Sequence, residues 1–388
     1  MDLSNVRIKE HFGIVTNITG TNQLSFLISP PKNRGSIEKE DIICLDHPKY
    51  GDACQVLAEV NEITSYEEVA GSTVGDRVGR LQATAQIIGY FDLRSQYRPL
   101  QKLLIPPHPG SRIYMPYAEF LEDLFKRGAE GKPHKTPLHL GKTEIAAASK
   151  EDGDEQLSFF LDSDDIAGKN TLISAIDGAG KTYAAKVIIE ELANKTSWSF
   201  VVIDPNNEYA AETTASERDQ IRTFNFQTVI INLDSLKSSE DLITKKIKQN
   251  QLVTITGENL MLEEKNKSYS RILNVLAGWR RQKTTPPFVL VVEDAENLSQ
   301  QAIQENLSLK NSATVLITSH PSLLGGETLS KMQTQIIGRT TDPKDMKYLQ
   351  NVIGNNHEQL LSLGIGEMVI NGLNVMRPTK IHVKQRLP

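Results

Sequence analysis

The chain has 388 residues, of which 39% are hydrophobic and 23% charged, and a formal net charge of -5. That length accommodates two or three domains with cores of their own, and that composition excludes wholesale disorder. The negative balance excludes a protein whose entire surface is basic for nucleic acid, so any DNA contact needs a local basic surface such as the channel of a ring.

No stretch approaches the roughly 20 apolar residues of a membrane span, and no membrane association is expected. The start, Met1 to Asn5, lacks the basic and apolar segments of a signal peptide, so a cytoplasmic location is expected. Cys44 and Cys54 flank a Gly-Asp turn, with no second Cys or His pair at metal-ligand spacing. That excludes a zinc site and favours two buried, reduced thiols.

Residues from about 8 to 105 read as β. His11 to Ile18, Leu24 to Ile28, Asp41 to Leu45, Gln55 to Val60 and Gln82 to Tyr90 are short apolar or alternating runs separated by Gly, Asp and Pro. Regularly spaced short strands predict a barrel or sandwich. Pro106-Pro-His-Pro-Gly breaks the pattern, Tyr117 to Lys126 predicts one amphipathic helix, and Gly128 to Glu155 is Gly-, Lys-, Ser- and Asp-rich. Residues 1–105 are therefore expected to form the small β-barrel, 106–156 a linker and helical connection, and 157–388 a separate α/β domain.

In that last domain strands and helices alternate. Leu172 to Ile176, Ser199 to Asp204, Val229 to Leu233, Leu252 to Ile255, Phe288 to Glu293 and Ala313 to Thr318 read as strands, with helices at Lys181 to Ala193 and Tyr269 to Lys283. Near-continuous apolar strands between helices predict a mostly parallel sheet covered on both faces.

Ala175-Ile-Asp-Gly-Ala-Gly-Lys-Thr182 follows a strand and opens a helix, which is the setting a P-loop requires. Backbone amides along Asp177, Gly178, Ala179 and Gly180 can wrap a nucleotide's phosphates, and the helix N-terminus adds a favourable dipole. Lys181 can reach the β and γ phosphates and Thr182 can bind Mg²⁺. Asp177 is out of keeping: a carboxylate beside phosphates repels them unless it points away or pairs with a cation. The strand that ends in Glu293-Asp294 is a Walker B arrangement. The first carboxylate would hold the Mg²⁺ shell, and the second would polarise the attacking water with a shorter reach than the usual Glu.

With these motifs in place the chain resembles the HerA family of P-loop ATPases, within the HerA/FtsK superfamily. Ile203-Asp-Pro-Asn-Asn-Glu-Tyr209 resembles that family's Asp-Pro-His-Gly-Glu-Tyr segment, and Glu293-Asp-Ala-Glu-Asn297 its Glu-Glu-Ala-His-Asn. Thr334 to Arg339, Asp342 to Asp345, Leu363 to Ile370 and Arg377 to Val383 resemble its late strand, following turn, closing hairpin and tail. His11 to Val15 resembles its N-terminal HAS-type barrel and Pro106 to Ser111 the link leaving it.

The resemblance implies a RecA/FtsK-like domain binding ATP and Mg²⁺ between the subunits of a homo-hexamer. Double-stranded DNA would thread the pore, and a NurA-type nuclease or another effector would be a partner. It also implies a catalytic set of Lys181, Glu293, Asp294 and Arg339, the last acting on a neighbour's phosphates or simply capping backbone. Ser319 and His320 stand where the family carries a sensor Gln and an Arg. A His is only partly charged at neutral pH. The helical insertion after Tyr209 is shortened to Ala210–Gln227.

Two readings follow: a DNA-stimulated motor, with basic pore loops at Lys237-Ser-Ser-Glu or Lys265-Asn-Lys, and a slow or inactive ATP-binding scaffold that assembles with a true HerA-type ATPase or a nuclease. Trp279 reads as core rather than as a base-stacking platform. A kinase or GTPase is disfavoured, since no Asn-Lys-x-Asp follows a core strand.

Overall fold

A computed structural model of the chain describes all residues except 1–5, 30–36, 68–78, 129, 144, 146–155, 210–227, 233–239, 250–251, 258–261, 310–311, 376 and 387–388. The expected shortened insertion at Ala210–Gln227 and most of the loop that begins at Lys237 lie outside the described residues. The chain divides into two units, Met1–Pro133 with Thr143–Phe159 and His134–Lys142 with Phe160–Pro388.

The first unit carries β1 (Gly13–Thr19), β2 (Gln23–Ile28), β3 (Ile42–His47), β4 (Gly51–Glu67), β5 (Gly79–Asp92), β6 (Arg112–Ile113) and α1 (Ala118–Phe125). Its sheet has the order β3-β4-β5-β2-β1-β6. Side chains alternate across a strand, so Leu24 and Phe26, Ile43 and Leu45, Val56, Ala58 and Val60, and Ala83 and Ala85 all point into one core. Cys44 and Tyr114 exchange both backbone hydrogen bonds, each 2.8 Å, and so join β3 to the chain just beyond β6. Cys44 and Cys54 are free and buried, and burial pushes the Cys44 thiol up to about 12.

The stretch 106–156, read as a connection, is packed where it is described. Ile113 and Met115 enter the first unit's core, and α1 buries Phe120, Leu121 and Leu124. A two-residue strand such as β6 is too short to leave a periodic signal, and Pro and Gly around it mask the apolar pair.

The second unit opens with β7 (Pro137–Thr143), β8 (Ser158–Asp162), α2 (Asp164–Ala167), β9 (Thr171–Ser174), α3 (Lys181–Lys195) and β10 (Ser199–Ile203). There follow β11 (Thr228–Asn232), α4 (Glu240–Lys248), β12 (Leu252–Thr256), α5 (Leu262–Gln282) and β13 (Phe288–Val292). Then come α6 (Gln300–Leu307), β14 (Ala313–Thr318), α7 (Gly326–Ser330), β15 (Thr334–Ile337), α8 (Pro343–Ile353), β16 (Glu367–Gly372) and β17 (Thr379–Val383).

The sheet order is β11-β12-β10-β13-β14-β9-β15-β16-β17-β7-β8. From β11 to β15 every neighbouring pair is parallel, and β15, β16 and β17 pair antiparallel. Strands β9, β10, β12, β13 and β14 are buried at every residue. That explains their unbroken apolar runs, since a strand with both faces covered has no polar alternation to show.

Helix α5 begins a full two turns earlier than its apolar spacing suggests. Lys265-Asn-Lys therefore lies on a helix rather than in a pore loop, and Lys265 Nζ donates to the Pro205 carbonyl at 2.9 Å. Trp279 packs against the core of this unit. The next residue, Arg280, carries a guanidinium without a carboxylate partner among the described residues. Its nitrogens donate to the carbonyls of Phe288 and Ala313, both at 3.0 Å, and to the Thr314 hydroxyl at 3.3 Å, while its plane lies 4.2 Å from the centre of the Phe288 ring. One residue thus ties together the entry points of β13 and β14.

Replacing Arg280 by Met is expected to destabilise the protein by roughly 2–3 kcal/mol, because two strand-entry carbonyls lose their donor in a closed environment. Arg281→Met, whose exposed side chain meets only Glu305 at 3.5 Å, is expected to stay within about 0.5 kcal/mol. Parallel denaturant melts of the two variants measure the difference, and equal midpoints would discard the clamp.

Candidate functional site

The site begins where β9 ends. Residues 175–180 leave the sheet between the ends of β14 and β15, and the neighbouring strands hold the loop's backbone through backbone groups of their own. Ala175 N–H donates to Thr318 O at 3.4 Å, Ile176 N–H to Arg339 O at 2.8 Å, and the Gly366 N–H to Ala179 O at 3.1 Å. Gly178 and Gly180 adopt φ of 77° and 104°, torsions that a side chain makes costly. A Cβ on Gly180 would also come within 3.4 Å of the Gly366 nitrogen. Helix α3 starts at Lys181 without a side-chain cap, so its first amides face outward at the loop.

One cleft of about 680 Å³ is lined by Lys181, Thr182, Asp177, Glu293, Asp294 and Ser319, with Asn206, Glu208, Glu296 and His320 at its walls. Most of the residues expected to bind nucleotide or metal therefore share one cavity. Arg339 and the buried Ala179 are the exceptions. The Arg339 backbone carbonyl supports the P-loop at Ile176, while its side chain is exposed and does not line the cleft.

Glu293 ends β13 and is 4% exposed. Burial pushes its carboxyl up to about 8, against the pull of the Tyr209 hydroxyl, which donates to Oε1 at 2.5 Å. Tyr209 is in turn set by Asp204, whose two carboxylate oxygens accept the Glu208 and Tyr209 amides at 2.9 and 2.8 Å. The Asp-Pro-Asn-Asn-Glu-Tyr segment is thus a turn built on one buried acid, and it delivers a hydroxyl to the Walker B carboxylate. Asp294 sits in the left-handed region at φ 49° and accepts from Asn206 Nδ2 at 2.9 Å. Burial raises its carboxyl too.

At the end of β14 the Ser319 N–H donates to Glu296 Oε1 at 2.9 Å and its hydroxyl to Asp177 Oδ1 at 2.6 Å. His320 Nδ1 lies 3.1 Å from Asp345 Oδ2, and the other Asp345 oxygen accepts the Ser322 N–H at 2.9 Å. The partners Tyr209, Asn206, Glu296 and Asp345 carry no spacing signal, since each meets its counterpart across 23 to 88 residues of chain.

Carboxylates outnumber the one lysine in this cleft. Among the described residues no three acidic, His or Cys side chains converge as a ready metal cage. Mg²⁺ fits such a site when phosphate oxygens complete its shell, with Thr182 and Glu293 as the protein's contribution.

Because folding raises the Glu293 pKa from 4.5 to about 8, the stability that its protonated form contributes is complete below about pH 4.5 and is lost as pH rises through 8. In the nucleotide-free protein, Glu293→Gln should therefore melt close to wild type at pH 5 and several degrees above it at pH 9. Melting curves that stay parallel over that range would mean that Glu293 is ionised throughout.

The family model for the central domain of helicase HerA matches residues 148–270. The chain is 26% identical over 193 residues to the probable DNA double-strand break repair helicase HerA of Methanocaldococcus jannaschii, covering 43% of this chain and 38% of that protein. A second protein of that organism, a probable helicase, is 26% identical over 159 residues, covering 36% of this chain and 29% of that protein. The chain spans less than half the length of the curated relatives it matches. Among solved structures, VirB4 of Thermoanaerobacter pseudethanolicus superposes with a TM-score of 0.45 at 14% identity, over 66% of this chain and 98% of that one. Residues 148–270, which include the P-loop, thus resemble the central domain of a HerA-type helicase, and the Glu293 strand follows beyond that match.

Proposed function

We propose that the chain binds ATP with Mg²⁺ in the cleft between the P-loop and Glu293, hydrolyses it, and uses the cycle to move double-stranded DNA through a homo-hexameric ring. The observation that carries this reading is the convergence of Lys181, Thr182, Glu293 and Asp294 on one cavity. Lys181 and the amides of 178–182 would hold the β and γ phosphates. Thr182 and Glu293 would share the metal, whose charge draws the proton off Glu293 as it binds. Asp294 would orient the attacking water. Arg339, exposed and outside its own cleft, would act on a neighbour's nucleotide.

We read the first unit, with its strands β3 and β6 joined through Cys44 and Tyr114, as the N-terminal β-barrel of such a protein. A NurA-type nuclease is the partner this reading implies, acting in the cytoplasm on DNA ends. Among the described residues no helix is long and apolar enough to cross a membrane.

A second reading, a slow or inactive ATP-binding scaffold assembling with another HerA-type ATPase or a nuclease, is favoured by the side chains at the sensor end of β14. Ser319 is engaged with Asp177 and His320 with Asp345, so neither matches a free amide or guanidinium facing the γ phosphate. In that case ATP would stabilise the assembly by mass action.

Steady-state ATP hydrolysis with and without duplex DNA separates the two. The motor predicts turnover that duplex DNA raises and Lys181→Ala reduces to background. Turnover of wild type no greater than that of Lys181→Ala, despite measurable ATP binding, selects the scaffold.

If Arg339 acts across a subunit boundary, Arg339→Ala should lower turnover by about 10³-fold or more. Mixed rings of Arg339→Ala and Lys181→Ala subunits should then regain part of the activity, since some interfaces recover a complete set. Mixtures as inactive as either variant alone would return Arg339 to a structural role.

A further inference from the structure

The Asp177 carboxylate has an unusual position for a phosphate site. It lies inside the P-loop, four residues before the lysine, and its Oδ1 accepts from Lys181 Nζ at 2.9 Å and from the Ser319 hydroxyl at 2.6 Å. The lysine end of this pair is 9% exposed and the aspartate end 91%. The acid is therefore not buried with its partner. It reaches in from the open side of the cleft and takes the ammonium that the loop would present to a ligand.

An anionic oxygen held by the P-loop lysine and by a hydroxyl at the end of the next strand is in the situation of a phosphate oxygen. Asp177 reproduces that situation from within the chain. The remaining ionisable neighbours make the competition sharper, because Glu208, Glu293, Asp294 and Glu296 line the same cleft with Lys181 and supply no other ammonium to share.

Resting on the reading of this cleft as a nucleoside phosphate site, we propose that Asp177 is an internal competitor for Lys181 that selects against the γ phosphate, so that the site holds nucleoside diphosphate in preference to triphosphate. A terminal phosphate must displace the carboxylate from the ammonium and then remain beside it, whereas a diphosphate can share Lys181, which has three donors, with the carboxylate still in place. Ser319 sets the direction of the effect. Its hydroxyl anchors Asp177 at the end of β14, on the side where Glu293 and Asp294 lie, which is the side that the hydrolysed phosphate occupies when Glu293 and Asp294 act on it. The structure thus carries a charge-based reason for slow loading with triphosphate and for retention of product.

The test is calorimetric titration of ADP and of a non-hydrolysable β,γ-methylene ATP, both with excess Mg²⁺, into wild type, Asp177→Asn and Asp177→Ala. Both variants should still melt cooperatively, at or a few degrees below wild type without ligand, because the side chain removed is exposed while Lys181 and Ser319 lose a partner. The expected result is a triphosphate analogue bound about tenfold more tightly by both variants, with ADP tightened by no more than about threefold, as suits one partly screened charge contact removed from the γ position. Equal tightening for the two ligands, or weaker binding of the triphosphate, would overturn the proposal while leaving the nucleotide site intact. Failure of every form to bind either ligand would overturn the nucleotide site itself and this inference with it.

Discussion

The second unit depends on how one loop is held. Residues 175–180 must leave a buried strand, turn back with two glycines at positive φ, and enter α3 with their amides exposed to a ligand. Side chains cannot fix such a loop without filling the space a phosphate would need. The work falls instead to backbone groups on both flanks: Thr318 and Arg339 accept from Ala175 and Ile176, and Gly366 donates to Ala179. Those partners stand at the ends of β14, β15 and the turn before β16. The parallel sheet is therefore the frame that keeps the loop open, and the antiparallel hairpin beyond it closes the last side.

Around that loop the electrostatics run against ligand binding until a cation is supplied. A helix N-terminus and one lysine face five carboxylates in a single cleft. Burial, aided by the neighbouring Glu208, Asp294 and Asp204 carboxylates, holds Glu293 in its protonated form near neutrality, and the Tyr209 hydroxyl holds its Oε1. A divalent metal bound there with nucleotide, as proposed above, would reverse this, since the ion's charge would oppose the desolvation that keeps the proton on. In the resting cleft Glu293 is held by a proton and the Tyr209 hydroxyl, Asp177 by Lys181 and Ser319, and Asp294 by a hydrogen bond from the Asn206 amide. Under the proposed function, phosphate would have to take Lys181 from Asp177.

The Asp204–Tyr209 turn links this chemistry to the rest of the unit. Asp204 gathers two amides, Tyr209 meets Glu293, and Lys265 on α5 caps the Pro205 carbonyl. A shift of α5 would reach the Glu293 carboxylate through three hydrogen bonds and a buried ring. Arg280, at the far end of the same helix, fixes the start of β13 and β14 through two carbonyls and the Thr314 hydroxyl. One helix thus touches the start of β13 directly and Glu293 beyond its end through the Asp204–Tyr209 turn.

Much was legible in the residues taken alone. Gly178, Gly180, Lys181 and Thr182 declare a phosphate loop because their torsional and chemical demands are local. Phe288 to Val292 declares a buried strand because no polar residue interrupts it. The β character of residues 8 to 105 follows from alternation, which is also a local property. Beyond that range the sequence is silent for a physical reason. β6 is too short for any period, and α5 begins with polar residues whose helicity comes from the surface they pack on.

Proximity decided the rest. Asp177 finds its cation locally, in Lys181 four residues on, but the Ser319 hydroxyl that shares the same oxygen reaches it only because β9 and β14 are neighbours, which no spacing encodes. That Ser319 engages an acid, that His320 turns to the buried Asp345, and that Tyr209 closes on Glu293 are outcomes of packing across 25 to 142 residues. The sequence by itself determined which side chains are available to nucleotide chemistry. Only the tertiary structure decided which of them are already occupied, because the partner of a charged group is set by the sheet order that brings strand ends together.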